Sequence, residues 1–476
     1  MSPTGRKVLV LGAGVSGLAA AHRIRSAAPD VEITVLEASR RAGGWIGTIE
    51  RDGFVIERGA DAILAQAPGF DAFIDGLGLR SRVVKTRSDR RGAYVLRAGR
   101  MERIPEGWSL LAPTGLQGLA NAKLLSPSAR LRLLGDLVLP PRGRDESLAA
   151  FARRRLGWEA LERLGQPLAG GIYGSDAEVL GLEATLPRFA KLEAEHGSVM
   201  RGLSKESSGA PVSGARYGLF CAFDRGMQVL IDALAQPLGD RLVLNQRATS
   251  LRVTDAGYEV RTEHATYACE AVVVALQGPA ASALLAGIDG ELGRQLSGVP
   301  HGSAATVTFA FDRSAIAHPL DAYGLVVPAV ERRRVLAMTW ASEKWPDRAP
   351  SDAALIRVFV AGPGDGSGPS MAPIELDDRS DDELIRTALR ETRSLLGVQG
   401  EPRFAVVSRF PRAMPRYRLD HAERRLAIER RMDAHPDLAL AGNALHGVGI
   451  PAAIASGERS ADRILARLQL PVRGAA

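Results

Sequence analysis

Residues 8–37, VLVLGAGVSGLAAAHRIRSAAPDVEITVLE, constrain this chain more than any other stretch. An apolar run from Val8 ends in Gly12-Ala13-Gly14-Val15-Ser16-Gly17. An Ala-rich segment of helical texture follows to Arg25, and a second apolar run, residues 31–36, stops at Glu37. Strand, glycine turn, helix, strand and acid, in that order, make a dinucleotide-binding βαβ unit. Gly12 permits the tight turn, Gly14 lets backbone approach a pyrophosphate, and Gly17 lets helix and strand pack closely. The helix N-terminus adds free N–H groups and a positive dipole end for the phosphates. Glu37, twenty residues beyond Gly17, stands where a carboxylate accepts hydrogen bonds from ribose hydroxyls. Arg6-Lys7 before an apolar run also suits a secretory signal peptide, but the fixed glycine spacing and the strand running straight to Glu37 disfavour it.

The remaining length, to residue 476, exceeds one ordinary core and implies two or more domains. A hydrophobic content of 46% and a charged content of 24% suit a soluble globular protein. The excess of Lys+Arg over Asp+Glu, 61 against 54, is carried almost wholly by arginine, which suits anionic lipid, nucleic acid or carboxylate-bearing ligands. Nucleic acid is disfavoured, because no basic block is interleaved with aromatics. Cys221 and Cys269 stand far apart and indicate neither a disulfide framework nor a thiol pair. The scattered histidines suggest no metal site, and no unbroken apolar run is long enough to span a membrane.

Along the chain, Arg40-Arg41-Ala42-Gly43-Gly44-Trp45 follows the acid, then Gly53 to Asp61 (GFVIERGAD). The double glycine lets backbone lie close to a pyrophosphate or isoalloxazine, and Trp45 offers an aromatic wall. Dehydrogenases using NAD do not need this insertion, so the combination favours FAD. Residues 108–155 turn Leu- and Ala-rich with proline breaks. Leu131, Leu133, Leu134, Leu137, Val138 and Leu139, edged by Arg130, Arg132 and Arg142, could lie in a membrane interface or pack as a helical subdomain. Strands are expected at 242–244, 251–253, 258–260 and 271–275, completing the flavin sheet. Others at 306–311, 325–327 and 355–360 would form a separate sheet over the flavin face. Residues 362–368 (GPGDGSG) read as a surface loop. A second strand and glycine turn, Leu438 to Ile450, precede a last helix at 454–468, so the FAD domain is discontinuous.

With these pieces in place, the sequence resembles the flavin amine oxidase superfamily, and within it the oxygen-dependent protoporphyrinogen/coproporphyrinogen oxidases. GAGVSGL, EASRRAGGW, DGFVIERGAD and AGNALHGVGIPAAIASG carry the superfamily likeness. AYVLRAGRMERIP, ESLAAFARRRLGWEALERLGQPLAGGIYGSD, FDRGMQVLIDAL and PRAMPRYRLDH carry the narrower one. The resemblance implies an α/β fold: a discontinuous FAD-binding Rossmann-like domain (residues 1–90, 216–280 and 403–476), a mixed-sheet substrate domain (91–103, 187–215 and 281–402) and a helical subdomain (104–186) that could face a membrane. It places the FAD diphosphate on Gly12, Ala13, Gly14, Val15, Ser16 and Gly17, and the adenosine ribose on Glu37 and Ala38. Gly44, Trp45, Gly59, Ala60, Asp61 and Ala62 would lie along the flavin, Ala248 would meet the adenine, and Asn443, Val448, Gly449 and Ile450 would border the isoalloxazine. Gly171 and Ile172 would flank a substrate pyrrole, opposite Tyr323, Val326, Met338 and Phe359. Family members carry a propionate-binding arginine where this chain has Ala93. Arg91, Arg90 or Arg97 could supply that charge, so the choice between dicarboxylate and tetracarboxylate substrates stays open.

The activity implied is dehydrogenation of a porphyrinogen to a porphyrin in haem biosynthesis, with O2 as acceptor and H2O2 released. No side chain is singled out as catalytic. His446, near the expected flavin edge, reads as structural or solvent-facing rather than as a base. The rival readings are an amine oxidase or carotenoid-type desaturase, and a prenyl-protein-binding module on the same fold without flavin. The expected setting is cytoplasmic, with contact at the inner membrane surface and a homodimer both open.

Overall fold

A computed structural model of the chain describes residues 6–468 except 66, 105, 144, 174, 208–219 and 361–378, and the side chains of 168, 171 and 172 lie outside the description. The expected 362–368 loop therefore falls outside the described residues.

Lys7–Leu11 is the middle strand of a five-stranded parallel sheet, ordered Leu242–Val243, Glu32–Leu36, Lys7–Leu11, Ala271–Val274, Leu438–Leu440. Val8 to Leu11 and Ala271 to Val274 are buried, as parallel strands covered on both faces must be, and so both read as unbroken apolar runs. The chain leaves Lys7–Leu11 through helix Val15–Ala27 to Glu32–Leu36 on one side, while Ala271–Val274 lies on the other. Strand order thus reverses at Lys7–Leu11, and a crevice opens at its carboxyl end.

The last helix, Ile450–Arg467, packs along Val15–Ala27. It begins four residues before the expected position, because Pro451 fits its first turn without needing a donor. The second glycine turn therefore runs straight into the helix. Contact between the two helices is closest at Gly457, where a methyl group would stand 2.1 Å from the Ser16 carbonyl oxygen.

A seven-stranded sheet is ordered Phe404–Pro415, His301–Asp312, Ala353–Val360, Val335–Trp340, Gly324–Val326, Tyr94–Arg97, Arg100–Arg103. Leu325, Met338 and Val358 share one face and pack with Leu384, Ala388 and Leu396 of helix Asp381–Leu396. Alternation along the strands sends Val326, Ala337, Phe359 and Thr306 to the opposite face, where they lie cross-strand from one another.

The hairpin at residues 251–260 does not complete the flavin sheet. Ala248–Thr254, Gly257–Thr262 and Thr266–Cys269 form their own antiparallel sheet, and only Leu242–Val243 and Ala271–Val274 join the parallel one. The reason is visible in Ala248–Thr254, where Leu251 alone is buried and the other side chains keep contact with water, as one-sided antiparallel strands do.

Short helices between Leu116 and Ser207 form a third region around their own apolar core. A buried charge network pins it. Arg155, 0% exposed, bonds Glu193 through Nε at 2.9 Å and lies 3.3 Å from Asp136 Oδ1. Asp136 also accepts the Ser198 hydroxyl at 2.6 Å and the Met200 N–H at 2.9 Å. Arg154 and Arg142 complete the set against Glu146 and Glu193, so three cations meet three carboxylates.

Candidate flavin and substrate site

Both glycine turns stand at the carboxyl edge of the parallel sheet. At Gly12, with φ +102°, a methyl would lie 2.6 Å from the Ala275 carbonyl oxygen, and at Gly17 it would lie 2.0 Å from that of Gly12. These two glycines are therefore required by packing. Gly14 differs: its φ of −69° is ordinary, and an added methyl would meet nothing within 4 Å. The space above it is open, and helix Val15–Ala27 starts there without a side-chain cap. First-turn N–H groups with no side-chain cap, beside backbone that leaves room at Gly14, suit a diphosphate. The Ile450–Arg467 helix likewise starts uncapped, at Gly449.

The Arg40–Trp45 segment closes over this turn. Gly43 N–H donates to the Ala13 carbonyl at 2.8 Å, and Gly43 pairs with Gly14 in an isolated bridge. Arg41, to which the sequence reading gave no role, braces the loop from inside. Its guanidinium donates to the carbonyls of Ala42, Ile46 and Gly44 at 2.9, 2.7 and 2.7 Å. Gly59 lies so close beneath that a methyl would stand 1.8 Å from the Trp45 carbonyl oxygen.

Glu37 carries more than the expected role. Its Oε2 accepts the Ala13 N–H at 2.7 Å, and its Oε1 accepts the Ser39 N–H and hydroxyl at 2.9 and 2.7 Å. The carboxylate thus ties the first turn to the end of the second strand, and Oε2 retains a lone pair that could accept a ribose hydroxyl. Ala38 is exposed beside it. Residues 243–248 run alongside, with Glu37 N–H donating to Val243 and Gln246 N–H to Glu37, which brings Ala248 to the same end of the crevice.

Tyr417, from the PRYRLDH motif, organises the second turn. Its hydroxyl donates to the Asn443 carbonyl and accepts the Gly447 N–H at 2.9 Å. Burial pushes the Tyr417 phenol well above its ordinary pKa, so it stays a donor. His421 stacks on its ring with centroids 4.1 Å apart and bonds the Leu445 carbonyl. Gly181 N–H reaches the Tyr417 carbonyl at 2.8 Å, joining the helical region to the same point. The Asn443 amide donates to Ala413 at 3.2 Å. Val448 is half-buried, Gly449 exposed and Ile450 buried. His446 is exposed, with Nε2 3.3 Å from Glu429 Oε1, and burial of its ring lowers its pKa.

Among the buried polar atoms without a partner in the described residues are Trp45 Nε1 and Arg357 Nε, whose residues adjoin Gly59, and Thr306 Oγ1, on the sheet face that carries Phe359. Trp45 packs edge-on against Phe410, Thr306 opposes Phe359 across the sheet, and the Arg357 Nη1 donates to the Gly59 carbonyl. Orphaned buried donors are costly unless a ligand meets them. Together with the open cradle at Gly14, they fit a dinucleotide that continues into a polar ring system. Ala60 is exposed and Ala62 half-buried, while Asp61 is held by Lys344 Nζ at 2.8 Å. Burial works to raise the Asp61 pKa, but the Lys344 and Arg357 charges outweigh it and hold the carboxyl below its usual range.

Of the expected substrate residues, Val326 and Phe359 share the sheet face toward this site, but Met338 does not. It is buried on the opposite face against helix Asp381–Leu396, because it falls one residue out of phase with Val326 and Phe359 in the pleat. Tyr323 is buried, with its hydroxyl on the Arg87 carbonyl. Gly171 and Ile172 sit on helix Gln166–Tyr173, which lies against strand Val335–Trp340. Arg91 is exposed, and its carbonyl accepts from Arg103. Ala93 is buried.

A switch-point crevice with two uncapped helix starts, an acid at the end of the second strand and an aromatic-walled glycine loop is the build of a two-dinucleotide-binding flavoprotein, and the cofactor is FAD. The sequence profile described as flavin containing amine oxidoreductase matches residues 15–465. The chain belongs to that family, and it is an oxidoreductase. Among its relatives is a coproporphyrinogen III oxidase from Staphylococcus aureus (strain NCTC 8325 / PS 47), 30% identical across 97% of this chain and 100% of that protein. Protoporphyrinogen oxidase 2, chloroplastic/mitochondrial, of Arabidopsis thaliana is 26% identical across 98% and 95%. A crystal structure from Exiguobacterium sp. 255-15, whose protein is provisionally named a protoporphyrinogen oxidase, superposes with a TM-score of 0.85 at 29% identity, covering 98% of this chain and 99% of that one.

Proposed function

We propose that this protein is an FAD-dependent oxidase that dehydrogenates a porphyrinogen to the porphyrin, with O2 as electron acceptor, and that coproporphyrinogen III is its preferred substrate. The observation that carries the reading is the meeting of both glycine turns on one crevice roofed by the Val326 and Phe359 sheet face. The preference follows three coproporphyrinogen III oxidases that are 29–30% identical over nearly the whole chain, against 26% for the plant protoporphyrinogen oxidases.

Bound FAD supplies hydride acceptance and reoxidation by O2, with H2O2 as product. The chain's own residues would do the rest. Gly14 and the first turn of Val15–Ala27 would hold the diphosphate, and Glu37 the ribose. Tyr417 fixes the 443–447 loop, which would border the ring system, and Val326, Phe359 and helix Gln166–Tyr173 would orient the macrocycle and exclude water. No side chain is assigned as a proton acceptor. Anaerobic mixing with coproporphyrinogen III should bleach the flavin faster than protoporphyrinogen IX does. An unbleached flavin with both, or bleaching by a primary amine instead, would point to the amine oxidase branch.

Among the described residues no helix is long and apolar enough to cross a membrane. Leu116, Leu131, Val138 and Trp158 of the helical region are exposed, and the Arg153 guanidinium lies over the Trp158 ring. This supports contact with an anionic membrane surface. Sedimentation with anionic liposomes at low salt tests it, and protein left wholly in the supernatant would end it.

A further inference from the structure

Below the Gly59 turn lies a buried cluster whose charges do not cancel. Lys344 pairs with Asp61, and Arg348, 1% exposed, has its Nη2 3.8 Å from Glu57 Oε1. Arg357, 5% exposed in the middle of strand Ala353–Val360, has no carboxylate at bonding distance among the described residues. Among the described residues its donors meet the carbonyls of Gly59 and Arg58 and its Nε has no partner, and its guanidinium lies 5.0 Å from the Phe359 ring centre. Asp61 and Glu57 are the carboxyl groups facing Arg357 from the neighbouring elements, Glu57 with its pKa lifted by burial to about 7, while Asp224 and Asp347 face Arg348. Asp224 is engaged by Arg82, and Asp347 is exposed. Among the described residues, three cations, the buried Arg348 and Arg357 and the half-buried Lys344, therefore meet two carboxyl groups, the buried Glu57 and the half-buried Asp61. Arginine does not shed its proton to escape such a place, and an unmatched buried charge is costly.

We infer that the uncancelled charge of Arg357, with Lys344 beside it, is matched by negative charge arising on the ring system seated against the Gly59 turn as that ring takes up electrons. This rests on the flavin reading above. A fixed cation there raises the cofactor's affinity for electrons and lets two electrons arrive with one proton instead of two. The same anionic chemistry could come from a substrate carboxylate, and the experiment separates the two.

Dye-coupled redox titration of the purified yellow protein across pH, for wild type, Arg357→Gln and Arg357→Lys, tests this, with flavin content measured in parallel. Arg357→Gln should keep its FAD, show a lower midpoint potential and take up two protons per electron pair where wild type takes up one. Arg357→Lys should recover most of the shift. A flavin-replete Arg357→Gln with unchanged potential would overturn the inference. So would an unchanged potential combined with weaker binding of coproporphyrin III, which would give the charge to the substrate. Should Arg357→Gln not fold, Lys344→Gln must show the same downward shift, and its absence is equally decisive. Wild-type protein that stays colourless with added FAD would overturn the flavin reading along with this one.

Discussion

Two buried charge clusters hold this molecule, and they are built on opposite rules. In the helical region Arg142, Arg154 and Arg155 meet Asp136, Glu146 and Glu193, and the Arg155 donors also find the carbonyls of Leu139 and Pro140. Below the Gly59 turn, Glu57 and Asp61 face Lys344, Arg348 and Arg357, and orphaned donors remain. A cluster balanced in charge needs no further ion and serves the fold. An unbalanced one at the edge of a crevice is completed by what the crevice binds. Burial therefore does not separate structural from functional charge, whereas the count of opposing groups does.

The comparison can be broken most sharply at Arg155. Arg155→Leu strands Asp136 without a counter-charge, leaves Glu193 with Arg154 alone, and should cost about 3–5 kcal/mol. Thermal unfolding should show that loss while the folded fraction still binds FAD, and an unshifted Tm would remove the distinction drawn here. Glu57 sharpens the other side. Burial outweighs its bonds to Thr48 and the pull of Arg348 and lifts its pKa to about 7. The folded chain thus keeps the Glu57 proton over a window, from about 4.5 up to about 7, in which the unfolded chain has lost it. Stability from this group is complete below that window and lost as pH rises through it, by on the order of 3 kcal/mol. Denaturant titrations of the apoprotein at pH 5 and 8 should show the slope in wild type and a flatter one in Glu57→Gln.

Smaller effects concern the turns. Gly457→Ala drives a methyl against Ser16 and should cost about 1–3 kcal/mol while also weakening FAD, because the two helix starts shift together. Tyr417→Phe removes one donor and one acceptor from the 443–447 loop. A loss of about 1–2 kcal/mol is expected, along with a changed flavin absorbance envelope. An unaltered spectrum would mean that the loop does not border the ring.

Much of the cofactor half was legible because glycine spacing and strand order are local signals. The GAGVSG turn, the strand to Glu37 and the strand before Gly442 need only neighbours in sequence to be read. What escaped was long-range. Tyr417 lies 26 residues from Asn443, and nothing in PRYRLDH says which loop its hydroxyl meets. Arg357 did leave a trace, since a charge inside LIRVFV interrupts an apolar strand, but its partner Gly59 lies 298 positions away. Met338 was misplaced against Val326 and Phe359 because a one-residue difference in pleat phase reverses the face. The separate 248–269 sheet was merged with the flavin sheet because strand periodicity does not reveal which strands pair.

The central claim is that the open space at Gly14 seats the FAD diphosphate, and Gly14→Ala tests it most directly. With an ordinary φ and nothing within 4 Å of the new methyl, the apoprotein should melt at the wild-type temperature. Calorimetric titration with FAD should nonetheless show affinity lowered tenfold or more, roughly the effect of 1.4 kcal/mol lost at the phosphate. Wild-type affinity in a folded Gly14→Ala protein would contradict the placement of the cofactor and everything built on it.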